Sequence, residues 1–292
     1  MPSKLISLGQ ILDLTWDFYS KNFKALMKVT VWLFLISLLS IIGIILSPAD
    51  NVVFLIEQDL LTLGHKLGML LTIITPTVGA GIASIWVFLS LVATTSELHT
   101  KKQSDLKAVS RKSWKNFFPY LLMSFLRGLI FFVPVLTVVP GLILIIASIG
   151  LRGGIGFSGF AILLTIVGAL TGIVLLSLFW VWFSFPGYEM VLEGKGAIQS
   201  LKASKRLVRG RFWSVFWRLL IPKIIFTVFI IIIQVAIYFL FTLFIVNPSV
   251  DPAAFSRTVD VIGNLVLTTI TALTLPLYII ADYFIFDSLK KN

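Results

Sequence analysis

The chain has 292 residues, of which 58% are apolar and only 13% charged, with a mean hydropathy of +1.02. A soluble domain carries about a quarter charged residues, so this chain lacks the polar surface to cover itself in water, and lipid must be its solvent. The absence of cysteine excludes disulfides and thiolate chemistry, and the net charge of +11 lies beside apolar runs, which points to topology and anionic headgroups rather than nucleic acid.

The opening MPSKLISLGQILDLTWDFYSKNF has acids ahead of the apolar run and no small-residue cleavage site, so it is not read as a signal peptide. A helix needs roughly 20 apolar residues to cross about 30 Å of hydrocarbon. Six segments qualify: 29–47, 67–95, 128–149, 159–185, 224–246 and 261–286. They are continuous runs rather than ten-residue alternating strands, so they predict helices and not a barrel. Pro76, Pro134, Pro140, Pro222 and Pro276 predict kinks or breaks, and the pair Pro134 and Pro140 predicts a discontinuous third span. Gly79, Gly81 and Ala83 in the second span, and the GxxxG pair Gly168 and Gly172 in the fourth, predict close helix packing. Gln234, polar at the middle of the fifth span, predicts an interhelical hydrogen bond. No hydrophilic stretch is long enough for a soluble module, so residues 1–292 read as a single polytopic membrane domain.

Orientation follows from the 24 Lys and Arg residues. The N-terminal segment, the second-to-third and fourth-to-fifth connections and the C-terminus hold 21 of them, and only Lys66, Arg152 and Arg257 fall elsewhere. Six spans put every basic segment on one side, which the positive-inside rule assigns to the cytoplasm together with both termini. Lys28, Arg127 and Lys223 each precede a span and read as snorkelling anchors.

The basic segments repeat. LDLTWDFYSKNF (12–23), LKAVSRKSWKNF (106–117) and LKASKRLVRGRF (201–212) align at Leu12, Leu106 and Leu201, with steps of 94 and 95 residues. Glu97, Glu189 and Asp282 recur with steps of 92 and 93. The implied unit is an amphipathic helix plus a helical hairpin, repeated over 1–100, 101–194 and 195–292. In the first copy Leu8, Ile11, Leu12, Thr15, Phe18 and Tyr19 form the apolar face, opposite Asp13, Asp17 and Lys21. In the second, Leu106, Val109, Ser113, Phe117 and Tyr120 oppose Lys107, Arg111 and Lys115. In the third, Ile198, Leu201, Val208, Phe212 and Val215 oppose Lys202, Arg206 and Arg209. Such helices lie in the interface with their cations toward phosphate, which makes Lys107, Arg111, Lys115, Lys202, Lys205, Arg206 and Arg209 candidate headgroup ligands. The competing reading leaves them as topology signals in a solvated elbow. Glu97, Glu189 and Asp282, each expected near a helix C-terminus where the macrodipole disfavours an anion, read as salt-bridge clasps or as a polar cavity. His65 and His99 are isolated, and no HExxH, G-x-S-x-G or P-loop is present, so neither catalysis nor a metal or other cofactor is expected.

The stretch FPGYEMVLEGKGAIQSLKASKRLVRGRFWSVFWRLL (185–220) and the ending YFIFDSLKKN (283–292) resemble signatures of a large prokaryotic family, the membrane domain of glycerophosphoryl diester phosphodiesterase. Some members of that family carry a TIM-barrel phosphodiesterase whose metal site begins with His-Arg-Gly. Neither histidine here is followed by Arg-Gly, and the 292 residues leave no room for a barrel. The resemblance therefore implies the membrane architecture, in a prokaryotic cell membrane, without the enzyme activity. The functional expectation is a non-enzymatic protein that binds or transports a lipid or lipid-derived amphiphile, with membrane lipids as partners. The alternative is a scaffold or accessory subunit, acting as a homo-oligomer or with another membrane protein.

Overall fold

The computed structural model describes residues 5–47, 62–101, 103–150, 155–245 and 252–291, and all secondary structure among them is helical. Lys4, Lys102 and Arg152, which entered the charge count, lie outside the described residues. Six segments are long and apolar enough to cross a membrane: Phe23–Leu46, Leu63–Lys101, Leu106–Leu136, Phe157–Glu193, Phe212–Leu240 and Thr258–Lys290. They correspond to the six predicted spans, and each runs on into a basic segment. The chain forms two compact units, Met1–Phe117 with Arg218–Ser288 and Phe118–Trp217 with Leu289–Asn292.

In the first unit, α1 (Leu8–Lys21) starts at a capping box in which Ser7 Oγ accepts from the Gln10 N–H and Gln10 Oε1 accepts from the Ser7 N–H. Ile11, Thr15 and Tyr19, four residues apart, are buried, while Asp13, Asp17 and Lys21 are exposed. Tyr19 donates from its hydroxyl to the Leu273 carbonyl at 2.8 Å, and burial pushes its phenol above the ordinary value, so the neutral donor is the held form. Asn22 ends α1, and α2 (Phe23–Thr30) and α3 (Trp32–Leu46) carry the chain across the membrane. It returns through α4 (Leu63–Ile74), a π-helical turn at Thr75–Gly79, and α5 (Ala80–Lys101). Helices α3 and α4 approach closely through glycine. A Cβ on Gly43 would lie 2.8 Å from the Thr72 amide nitrogen, and one on Gly68 only 2.5 Å from the Leu46 carbonyl carbon.

Pro76 lacks the N–H that a regular turn requires, and the helix widens to π geometry around it. The small-residue face beside it meets the expectation of close packing only in part. A Cβ on Gly79 would make ordinary contact with the Ile36 side chain of α3 at 3.6 Å, and one on Gly81 would meet nothing within 4 Å.

The segment Leu63–Lys101 is 39 residues long and would extend about 58 Å, roughly twice the hydrocarbon thickness. The surplus carries the core. Val87, Leu89, Leu91 and Val92 near the basic end of α5 are fully buried, as are Ile280 and Ile285 toward the basic end of α12 (Pro252–Lys290). Farther from that end Ile73, Val78 and Ile82 are exposed, as suits side chains facing lipid. Asn264 on α12 makes side-chain hydrogen bonds to α3. Its Oδ1 accepts from Ser37 at 2.9 Å, and its Nδ2 donates to Ser40 at 3.3 Å. Gln234, on α11 (Phe212–Ile245), is half-buried and makes no hydrogen bond among the described residues, so the bond expected of it is made by Asn264 instead.

The 31-residue α6 (Leu106–Leu136) begins in the first unit and runs unbroken from its basic turn into the span, so the second amphipathic segment is not a separate helix. In the second unit the third span breaks between the two prolines, as predicted. Helix α6 stops at Leu136 and α7 (Val139–Gly150) resumes three residues later. The Thr137 hydroxyl sits between the Pro134 and Gly168 carbonyls, at 2.6 and 2.7 Å, and links the break to α8 (Ile155–Trp182). Three glycines allow this antiparallel pair its close approach. A Cβ on Gly141 would lie 2.6 Å from the Thr165 backbone, one on Gly172 3.0 Å from the Pro134 carbonyl, and one on Gly168 would collide with the Thr137 carbonyl. The GxxxG pair therefore packs as its spacing predicts.

Because each of these glycines faces backbone, a side chain there cannot be absorbed by a rotamer change. Gly168→Val is expected to destabilise the protein by about 1–3 kcal/mol, whereas Gly81→Val should stay within about 0.5 kcal/mol. Thermal unfolding of the two variants in one detergent checks the difference.

Candidate functional site

The local fold after α8 is set by its first proline and its glycines. Phe185–Pro186 ends one helix and starts α9 (Pro186–Glu193), since proline suits a first helical turn but cannot continue the preceding helix. Gly194, at φ +67°, supplies the left-handed cap, and α10 (Ala197–Val208) follows before Gly210, at φ +81°, turns the chain into α11. Ser204 of α10 joins the α8–α9 break, donating to the Trp182 carbonyl at 2.7 Å and accepting from the Phe185 N–H at 3.1 Å. Met123, Phe183, Met190, Ala197 and Leu201 pack beneath as an apolar core.

With Ala197, Ser200, Leu201, Ser204 and Val208 facing inward, the opposite face of α10 is left to its cations. Lys202, Lys205, Arg206 and Arg209, together with Lys195, Gln199 and Trp182, line an open cleft of about 780 Å³. No acid lines it. The Lys205 ammonium lies 4.4 Å from the centre of the Trp182 ring, a cation–π arrangement that fixes the cation at the cleft wall. The predicted face of the third amphipathic segment needs one correction. Ile198 is 58% exposed, and the buried stripe runs through Leu201, Ser204 and Val208 instead.

Glu189 lies behind this cleft with its side chain only 2% exposed. It pairs with Lys195, which also lines the cleft, and with Lys290, whose Nζ is 3.1 Å from Glu189 Oε1 and 3.5 Å from Glu193 Oε1. The expectation of a helix C-terminus at Glu189 is overturned. The break at Phe185 puts it in the first turn of α9, where the macrodipole favours an anion. Asp282 sits eight residues before the end of α12, beyond reach of the end charge, and pairs with Lys223 at 2.9 Å. Glu97, in the last turn and a half of α5, is half-buried and makes no salt bridge among the described residues.

Of the second basic segment, Lys107 and Arg111 line a cavity of about 550 Å³ in the first unit, while Lys115 is exposed and lines neither space. Sequence reasoning missed Trp182, Trp32, Trp86 and Trp114, which wall the two spaces. The available signal was their spacing, since Trp32 follows Lys28 by four residues and Trp114 follows Arg111 by three. Arg127 stands over the Phe131 ring, 5.4 Å from its centre. Among the described residues, no three His, Asp or Glu side chains converge where a metal could bind.

An all-helical chain with six membrane-length helices is, in class, a polytopic membrane protein. A family model described as a domain of unknown function, DUF7847, matches residues 30–285, and the chain belongs to that family. No curated protein and no solved structure matches it.

The Glu189 cluster predicts an asymmetry. Removing both Lys195 and Lys290 strands a buried carboxylate and is expected to cost about 3–5 kcal/mol. Glu189→Gln leaves two ammonium groups that can turn toward water, because both are nearly a third exposed, and should cost distinctly less. Unfolding midpoints of Glu189→Gln and of the Lys195→Ala/Lys290→Ala double variant give the order.

Proposed function

We propose that the protein is a non-enzymatic membrane protein that binds or moves an anionic amphiphile, a lipid or lipid-derived phosphodiester, on the cytoplasmic side of a prokaryotic cell membrane. The observation that carries this reading is the cleft on α10, where five cations, a glutamine and a tryptophan share one open space without an acid among the described residues. Basic side chains in that setting attract phosphate, each by on the order of 1 kcal/mol near an anionic surface. The flanking indole suits the boundary between headgroup and chain. The resemblance of residues 185–220 to the membrane domain of glycerophosphoryl diester phosphodiesterase supports the choice of a phosphodiester. A scaffold or accessory subunit with no ligand of its own is the alternative, and an open basic cleft favours binding over it.

Replacing Lys202, Lys205, Arg206 and Arg209 together by Gln should lower retention of anionic lipid at least about tenfold, because four such cations contribute up to roughly 4 kcal/mol. Insertion should persist, since Lys195, Arg211, Arg218 and Lys223 still mark that side. Native mass spectra of protein taken from anionic and zwitterionic bilayers measure the retention, and equal retention by the variant would reduce these cations to topology signals. The chain has no cysteine, so the orientation can be read separately with single cysteines. Leu63→Cys should react with an impermeant maleimide in intact cells, and Ile198→Cys, at an exposed position, only after permeabilisation.

A further inference from the structure

Four helices of the first unit contribute side chains to a single cavity of about 550 Å³. Lys28 and Trp32 flank the bend between α2 and α3, Trp86 and Ser90 come from α5, and Lys107 and Arg111, followed by Trp114, come from α6. Ser90 is fully buried and donates to Ser113 at 2.8 Å, and Ser113 donates in turn to the Val109 carbonyl at 2.9 Å, which ties α5 to α6 at the cavity. No acid lines the cavity, and Lys28, Lys107 and Arg111 have no carboxylate partner among the described residues. The nearest acid along the chain, Asp105, is engaged by the backbone, accepting from the Lys107 N–H at 2.9 Å as the helix cap. Trp86 adds a buried indole N–H with no acceptor among the described residues, so the wall carries an unsatisfied donor as well as three cations.

Three positive charges held at one cavity repel one another unless an anion enters. Three tryptophans at the same level mark the depth at which indole rings favour the membrane interface. Cations and indoles together suit a molecule that is phosphate at one end and apolar at the other. We infer that this cavity is a second binding site, independent of the α10 cleft, for a lipid with an anionic phosphate headgroup. Lys28, Lys107 and Arg111 take the phosphate, and the Trp32, Trp86 and Trp114 rings take the adjoining glycerol and first methylenes. A zwitterionic headgroup is disfavoured, because its ammonium group would enter a space that already holds three cations and no carboxylate.

The test uses the full-length protein in bilayers of phosphatidylcholine with and without phosphatidic acid, with retained lipid counted by native mass spectrometry. The wild type should retain phosphatidic acid at two sites. Replacing Lys28, Lys107 and Arg111 by Gln should remove one of them and leave the other, whereas the quadruple α10 variant should do the reverse. Loss at the α10 cleft alone thus bears on the proposed function and leaves this inference standing. Arg111→Gln, a single change at an exposed position, should weaken the site about threefold or more, and Arg111→Lys should restore most of the loss. Unchanged retention in the triple variant would overturn the inference, as would equal retention of phosphatidylcholine at this site. Displacement of the lipid by glycerol 3-phosphate at matched concentration would assign the cavity to a free phosphate ester and overturn the choice of a lipid.

Discussion

In lipid, an apolar side chain gains little by leaving the acyl chains for the surface of another helix, so the hydrophobic effect cannot hold transmembrane helices together. What remains is backbone approach and hydrogen bonding, and both described hairpin contacts use them. Gly43 and Gly68 bring α3 against α4, and Gly141, Gly168 and Gly172 bring the broken α6–α7 rod against α8. The side chains around these contacts stay open to lipid, as Ile143, Ile146, Leu163 and Leu170 do. The hydrophobic effect acts where water is near. The spans are longer than the hydrocarbon requires, and toward their basic ends α1, α5 and α12 bury an aliphatic and aromatic core. Phe18, His99 and Phe284 meet in that region, with ring centres 5.6 to 6.5 Å apart. Each unit thus has a packed base at the level of its cations.

The sequence made the spans legible because length and hydropathy are one-dimensional properties. The break in the third span was legible for a similar reason, since two prolines six residues apart each remove a backbone donor wherever the helix lies. Properties that depend on the neighbouring helix were not legible. Gly168 and Gly79 look alike in sequence, but the first faces the Thr137 carbonyl and the second, in a π turn, faces the side chains of Ile36 and Thr75. Gln234 and Asn264 are both amides inside apolar runs, and only the second has serines opposite it. The position of Glu189 was half-legible. Phe-Pro-Gly before an acid is the signature of a helix beginning, yet its closeness to a long apolar run made it read as an end.

The candidate cleft was legible as a set of cations and illegible as a cavity. Lys202, Lys205, Arg206 and Arg209 are given by spacing alone, but the wall formed by Trp182 depends on the chain reversing at Phe185 and being tied back by Ser204. Lys195 belonged to the charge count and gained a second role only once Glu189 was found buried beside it.

Topology alone does not require this arrangement of charge. The positive-inside rule counts basic residues near a span end and is indifferent to the helix face on which they fall. On α10, Lys202 and Arg206 are a like-charge pair four residues apart, which destabilises a helix by a few tenths of a kcal/mol, and Arg209 adds a further cation just past the helix end. Scattering the same charges around the helix, or interleaving acids, would relieve the strain and leave topology unchanged. The buried acid behind it, Glu189, is turned inward onto Lys195 and Lys290 and does not line the cleft. A surface kept uniformly positive at the expense of its own helix has a physical rationale if an anion regularly occupies it. Occupation converts the repulsion among the four cations into attraction toward a shared phosphate, and that conversion is the argument for a ligand over a signal.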